Sequence, residues 1–213
     1  MQTSFTEKFS DVITSEAQLR EILGEPSQLA ANKAVKTLDE HCRNFIASSP
    51  FIVIASSDAE GNVDISPKGD PAGFVQVLDE RTLAIPDRPG NRRADTLINI
   101  LQNPKIALFF FIPGKQDTFR ISGKAIVVRD LALRESMAIQ GKVPALAIVV
   151  TIDEAFLHCA KCVIRSGIWE QEKWPESDNI ASLARIMIDH GKLSTDMATV
   201  QAGIDESYRD RLY

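Results

Sequence analysis

Thr118 to Val128 alternates between apolar and polar side chains over the length of a long strand. Phe119, Ile121, Ala125 and Val127 share one face, and Arg120, Ser122 and Lys124 share the other. Successive strand residues point to opposite sides, so this period of two requires a sheet with one face buried and the other more accessible. Such a strand needs partners, and several are legible. Phe51 to Ala55 is a continuous apolar run, and Val63 to Ser66 is a second strand that Pro67 is expected to stop. Phe74 to Leu78 and Thr82 to Ile85 read as a hairpin turning at residues 79–81. Lys105 to Ile112 and Leu146 to Ile152 complete the set.

Helical spacing flanks and interrupts these strands. Residues 15–23 carry Leu19, Ile22 and Leu23 behind a Ser15 cap, and residues 35–47 carry Val35, Leu38, Cys42, Phe45 and Ile46 on one side. Residues 92–102 place Ala94, Leu97, Ile98 and Leu101 at helical intervals. Asp130 is expected to cap a helix running to about residue 140, and a short helix is expected over 154–164. Further helices are expected from Ile180 onward, with Ile180, Leu183, Ala184, Met187 and Ile188 on one face. The strands follow one another as hairpins with helices inserted, not as repeated β-α-β units. That order predicts a mainly antiparallel, closed or half-open barrel with flanking helices, and argues against a doubly wound parallel sheet. No G-x-G-x-x-G opens a helix, so a dinucleotide fold has no fingerprint here. Three parts are expected: a helical extension over 1–37, a β-rich domain over 38–175 and a helical segment over 176–213.

Composition narrows the function classes. The 213 residues are 44% hydrophobic, enough to bury a core without covalent staples. A net charge of −5 argues against a general nucleic-acid binder. Met1 to Asp11 has no apolar stretch of leader length, and no apolar run reaches the roughly 18 residues of a membrane helix. Cys42, Cys159 and Cys162 form an odd set that suggests no disulfide framework. A reducing, cytoplasmic setting is the expectation.

The chemistry concentrates in residues 85–95, Ile-Pro-Asp-Arg-Pro-Gly-Asn-Arg-Arg-Ala-Asp. Arg88, Arg92 and Arg93 fall between a strand end and a helix start. With Asn91 as N-cap, Arg92 and Arg93 enter the first helical turn, where the helix dipole disfavours cations. A phosphate resolves the conflict, because free backbone N–H groups and guanidinium forks both bind one; a solvated basic face is the competing reading. Ser66 and Lys68 leave a strand into the turn Pro-Lys-Gly-Asp-Pro. They offer a hydroxyl and a cation of the kind a flavin ring needs, although an ordinary loop has the same composition.

His158-Cys159-x-x-Cys162 has the spacing of one helical turn. A structural zinc site needs four ligands and a redox pair needs its own fold context, so partly buried thiols are expected, with His158 and Lys161 lining the cofactor site or a dimer seam. His41 and His190 stand alone, Trp169 and Trp174 flank a charged stretch, and no hydrolase spacing stands out.

Taken in order, these segments resemble the pyridoxamine 5'-phosphate oxidase-related FMN-binding proteins. The resemblance runs over roughly residues 38–175, through Asp-Ile-Ser-Pro-Lys-Gly-Asp at 64–70, the arginine loop and helix at 88–101, and Asn-Pro-Lys-Ile-Ala-Leu-Phe-Phe at 103–110. It continues through Phe-Arg-Ile-Ser-Gly-Lys-Ala at 119–125 and His-Cys-Ala-Lys-Cys-Val-Ile-Arg-Ser-Gly-Ile-Trp at 158–169. It implies an antiparallel split β-barrel, a homodimer with two FMN molecules at its interface, a small-molecule substrate and FMN-dependent oxidoreductase chemistry. It puts the FMN phosphate on Arg88, Asn91 and Arg92, with Arg93 beside them, and Ser66 and Lys68 near the ring or ribityl chain. It adds Arg120 to the cofactor contacts and brings Arg165, Ser166 and Trp169 toward the flavin from the other subunit. The chain lacks the substrate-binding Arg-x-His segment with which true pyridoxamine phosphate oxidases end, which argues against that substrate. A deazaflavin F420 enzyme, a haem-binding split barrel and a non-enzymatic flavin-binding protein share the same outline.

Overall fold

A computed structural model of the chain describes residues 8–213. The chain forms two compact units that meet in sequence between Ala34 and Val35. In the first, α1 (Glu16–Leu23) starts where the Ser15 side chain accepts the Gln18 N–H, and α2 (Gln28–Ala31) starts at Ser27 in the same way. Neither helix has a buried residue.

The second unit is built on one sheet. Its elements are α3 (Glu40–Ser48), β1 (Phe51–Ser57), β2 (Val63–Gly69), β3 (Gln76–Val77), β4 (Thr82–Asp87), α4 (Asp95–Gln102) and β5 (Lys105–Phe111). They continue as β6 (Thr118–Val128), α5 (Leu131–Ser136), β7 (Leu146–His158), α6 (Lys161–Ser166), α7 (Leu183–Gly191) and α8 (Met197–Asp210). The seven strands lie in the order β2-β1-β5-β6-β7-β4-β3, with every pairing antiparallel. The ladder is open, with β2 and β3 at its edges. The expected antiparallel, mainly-β architecture with flanking helices is therefore present, without closure of the hydrogen-bond pattern.

One core cluster collects Ile52 and Ile54 of β1, Leu83 and Ile85 of β4, Leu108 and Phe110 of β5, Phe119 and Ile121 of β6, and Ile148 and Val150 of β7. Strands far apart in the sheet thus share a single interior, together with Phe45 and Ile46 of α3 and Ile100 of α4. Each such fully buried side chain contributes about 1.5–3 kcal/mol through burial. Ala84, Met137 and Ala147 make a smaller cluster under α5.

Several elements depart from the local sequence signals, each for a physical reason. The helix expected over 35–47 begins only at Glu40, because the Asp39 carboxylate accepts the Cys42 N–H at 2.8 Å and caps it there. That bond holds the Asp39 carboxyl below the usual range, while burial pushes the Cys42 thiol up to about 11. Val35 instead exchanges backbone hydrogen bonds of 2.9 and 2.8 Å with Ala155. Pro67 does not stop β2, which pairs on through Gly69 with Pro67 opposite Val53. An edge strand tolerates proline where the missing N–H would face no partner. β7 runs to His158 where a helix was expected from 154, because Glu154, Ala155 and Phe156 pair with Ser122, Ile121 and Arg120. α5 stops at Ser136, short of 140, and Gln140 and Gly141 both adopt left-handed backbone, with φ of 51° and 75°. Of the face expected after Ile180, Ala184 is fully buried, whereas Ile180, Leu183 and Met187 are exposed. Among the described residues no helix is long and apolar enough to cross a membrane.

Candidate functional site

A pocket of about 570 Å³ opens between the inward side of β2, the loop after β4, the first turn of α4, residues 142–145 and Tyr213. Alternation positions its floor: Asp64, Ser66 and Lys68 are half-buried while Val63, Ile65, Pro67 and Gly69 are exposed. Ser66, Lys68, Arg88, Asn91, Arg92 and Arg93 all line this pocket, so residues from two separate motifs converge. Five cationic side chains (Lys68, Arg88, Arg92, Arg93, Lys142) face three carboxylates (Asp64, Asp87, Asp95) across the lining, which leaves it net positive in a net acidic chain.

The arginines are not equivalent. Arg88 donates from Nε to Asp70 Oδ2 at 2.6 Å and from one terminal nitrogen to the Met137 carbonyl at 2.8 Å. Its side chain is 14% exposed and that of Asp70 is 1% exposed, so the pair is taken out of water. Arg93 is held by Asp95 at 2.7 Å, and Lys68 lies 3.7 Å from Asp87. Arg92 is exposed and has no ion-pair or side-chain hydrogen-bond partner among the described residues.

The loop explains this distribution. Asn91 does not cap α4, contrary to the sequence reading. Its Oδ1 accepts the Arg93 N–H at 3.0 Å, a local turn that uses up its capping capacity two residues on. Arg92 and Ala94 adopt left-handed backbone, with φ of 61° and 59°, so helix cannot form before Asp95. Arg92 and Arg93 therefore precede the helix, and Asp95 supplies the acidic residue its first turn favours. The position before α4 is Ala94, which has no side chain able to cap, so the N-terminal N–H groups receive no side-chain cap. Thr96 donates to Asp64 at 3.3 Å and ties the helix start to β2.

Four expected contacts lie outside the pocket lining. Arg120 is on the opposite face of the sheet, 3.6 Å from Glu154 and 4.7 Å over the Phe156 ring, with its buried Nε unpartnered. Phe109 lies opposite Arg120 in the ladder, and His158 packs 5.5 Å from Phe109 and 5.0 Å from Phe156. Ser166 donates to the Val163 carbonyl within α6, and Trp169 donates from Nε1 to the Lys115 carbonyl at 2.9 Å. Arg165 is exposed on the same short helix. Cys159 and Cys162 are exposed rather than partly buried, because β7 ends at His158 and α6 turns only Val163 inward.

The sequence reading gave no role to Asp70, Asp87, Lys142 or Tyr213. Asp70 was visible in its motif, but its partner was not. The Tyr213 hydroxyl donates to Asp70 Oδ1 at 2.8 Å across 143 positions, and the Arg88 guanidinium carbon lies 5.6 Å from the Tyr213 ring centre. The hydrogen bond to the carboxylate, then burial, push the Tyr213 phenol above its ordinary range, against the pull of Arg88.

Crystal structures similar to the chain include HupZ of Group A Streptococcus, at 21% identity over 56% of this chain and 93% of that one with a TM-score of 0.46. An FMN-binding protein of Syntrophomonas wolfei aligns at 14% identity over 55% and 83% of the two chains, with a TM-score of 0.44. General stress protein 26 of Bacillus anthracis aligns at 13% identity over 54% and 88%, with a TM-score of 0.42. No curated protein sequence matches the chain. Residues 38–159 match the family described as pyridoxamine 5'-phosphate oxidase, a span that holds β1 to β7, the arginine loop and all the pocket lining except Tyr213. By that match, over more than half its length, the chain belongs to the pyridoxamine 5'-phosphate oxidase family.

Proposed function

We propose that the chain is a flavoprotein that binds FMN in this pocket and works as an FMN-dependent oxidoreductase on a small-molecule substrate. The observation that carries the reading is the anion-binding corner: Arg92, unpartnered among the described residues, beside a helix N-terminus that no side chain caps. Backbone N–H groups and a guanidinium together suit a phosphate. The volume of about 570 Å³ falls within the range of small-molecule sites, and the mixed apolar and cationic lining suits a ring joined to a phosphate. FMN, when bound, supplies the redox chemistry. The chain's own residues bind and orient: Arg92 and the start of α4 hold the phosphate, and Ser66 and Lys68 approach the ring and its side chain from β2. Arg88 braces the wall through Asp70 instead of offering a free cation.

The test compares two ligands that differ by the phosphate. Arg92→Ala should weaken FMN by roughly ten- to hundredfold, the loss of a charge-assisted hydrogen bond, and leave riboflavin within about twofold. Equal loss for both ligands removes the phosphate assignment. A purified protein that retains no flavin absorption after saturation with FMN removes the flavin assignment itself.

The open sheet is taken as the split barrel of the family, curled around the core that β1, β4 and β7 share. Its outer face groups Phe51, Phe109, Phe111 and Phe156 around Arg120, with ring contacts of 6.0 and 4.9 Å linking Phe51, Phe111 and Phe109. A contiguous, partly exposed aromatic face beside the half-exposed Arg120 side chain suits a cover. A second copy of the chain provides it and carries Arg165, Ser166 and Trp169 toward its neighbour's flavin. The protein should sediment as a dimer, and Phe109→Arg should yield monomers; a wild-type monomer that holds FMN tightly is the contrary result.

A further inference from the structure

Tyr213 is the one aromatic side chain among the described residues that line the pocket. It is also the lining residue most distant in sequence from the rest, and it is fixed twice. Its hydroxyl donates to the buried Asp70 carboxylate, and the Arg88 guanidinium lies over its ring. Two anchors at different points of one ring arrest its rotation before any ligand arrives, so little side-chain entropy remains to be lost on binding. The pocket keeps its volume of about 570 Å³ with Tyr213 in place, which makes the ring a wall and not a plug. The apolar lining elsewhere is aliphatic, from Ile65, Pro67, Leu97, Val143 and Pro144, and offers no π face.

We propose that Tyr213 is the specificity-determining platform of the pocket. Its ring receives the planar part of a phosphorylated aromatic ligand, and Asp70 and Arg88 are positioning residues that hold the ring. An aromatic face stacks on a flat ring system in an offset geometry that an aliphatic wall cannot reproduce. The inference rests on the phosphate reading above, but not on the planar ligand being FMN.

The experiment titrates the full chain, Tyr213→Ala and Tyr213→Phe with FMN, riboflavin and pyridoxal 5'-phosphate. Hydrogen exchange of residues 205–213 is followed without ligand. Tyr213→Ala should weaken FMN and riboflavin by the same factor, about tenfold, and bound flavin should recover fluorescence lost to the stacked phenol. Tyr213→Phe should keep most of that affinity, yet exchange at least about tenfold faster in its last residues once the bond to Asp70 is gone. If the wild type binds pyridoxal 5'-phosphate but not FMN, and Tyr213→Ala weakens it, the platform stands and the flavin assignment falls. Wild-type affinity for every ligand in Tyr213→Ala overturns the platform. Unchanged exchange in Tyr213→Phe overturns the seat on Asp70, even if no ligand binds.

Discussion

Arg88→Ala should destabilise the folded chain by about 3–5 kcal/mol, the expected effect of removing one partner from a buried ion pair. Arg88 Nε and Asp70 Oδ2 are 2.6 Å apart, with the Asp70 side chain 1% exposed. Without Arg88 the carboxylate keeps the Tyr213 hydroxyl and loses its counter-charge. Lys68, the nearest basic residue in its own motif, is already beside Asp87 at 3.7 Å. The Met137 carbonyl loses its guanidinium donor as well. Urea unfolding of the wild type, Arg88→Ala, Asp70→Asn and the double variant measures this directly. The double variant should lose less than the sum of the single losses, because neutralising Asp70 removes the charge that Arg88→Ala strands. An Arg88→Ala midpoint equal to that of the wild type would show that the pair is hydrated and contributes nothing. For the same reason Arg92, whose removal strands no partner, is the cleaner probe of phosphate binding.

Gly123→Ala should destabilise by about 3 kcal/mol or more, at the upper end of what overpacking costs. Gly123 lies at the register shift between β6 and β7, where the pairing passes from Ser122↔Glu154 to Gly123↔Ile152. The bulge draws the two backbones together. A Cβ at position 123 would collide with the Thr151 carbonyl oxygen and lie 3.1 Å from its carbon. Both are main-chain atoms of a central strand, so no side chain can rotate away to make room. Gly61→Ala is the control: its φ of 87° strains an alanine, but nothing lies within 4 Å of the added carbon. Its loss should stay near about 1–2 kcal/mol. The two urea midpoints should therefore separate clearly at unchanged m-value, and equal shifts would mean that the bulge yields to a methyl group. Because β6 pairs with both β5 and β7, a larger loss should reach the whole sheet.

Where local chemistry and tertiary demand agree, the elements were legible. β6 spans Thr118–Val128 as its alternation requires, and β1 and β5 follow their apolar runs. Ser15 and Asp130 cap the helices their side chains suit. Where a distant partner decides, local pattern misled. Ala155 and Phe156 lie in a stretch that reads as helix, yet β6 and Val35 offer them strand partners. Pro67 reads as a stop, yet β2 lies at an edge and needs no donor there. Asn91 reads as a cap, yet its oxygen is satisfied by Arg93 before the helix begins.

The candidate site divides along the same line. The amino-acid sequence alone marked the segments that line the pocket: the arginine loop at 88–93 and the Ser66–Lys68 stretch are short and chemically distinct, although the latter lies within β2 and not in a turn. Tertiary structure alone decided how the charges are divided. Arg88 is bound to Asp70, Arg93 to Asp95 and Lys68 approaches Asp87, which leaves Arg92 and Lys142 without an ion-pair partner among the described residues. It also decided that Tyr213 reaches Asp70 across 143 positions. Strand period and capping are properties of a few consecutive residues, whereas the pairing of buried charges depends on which distant side chains the packed core brings within about 3 Å of one another.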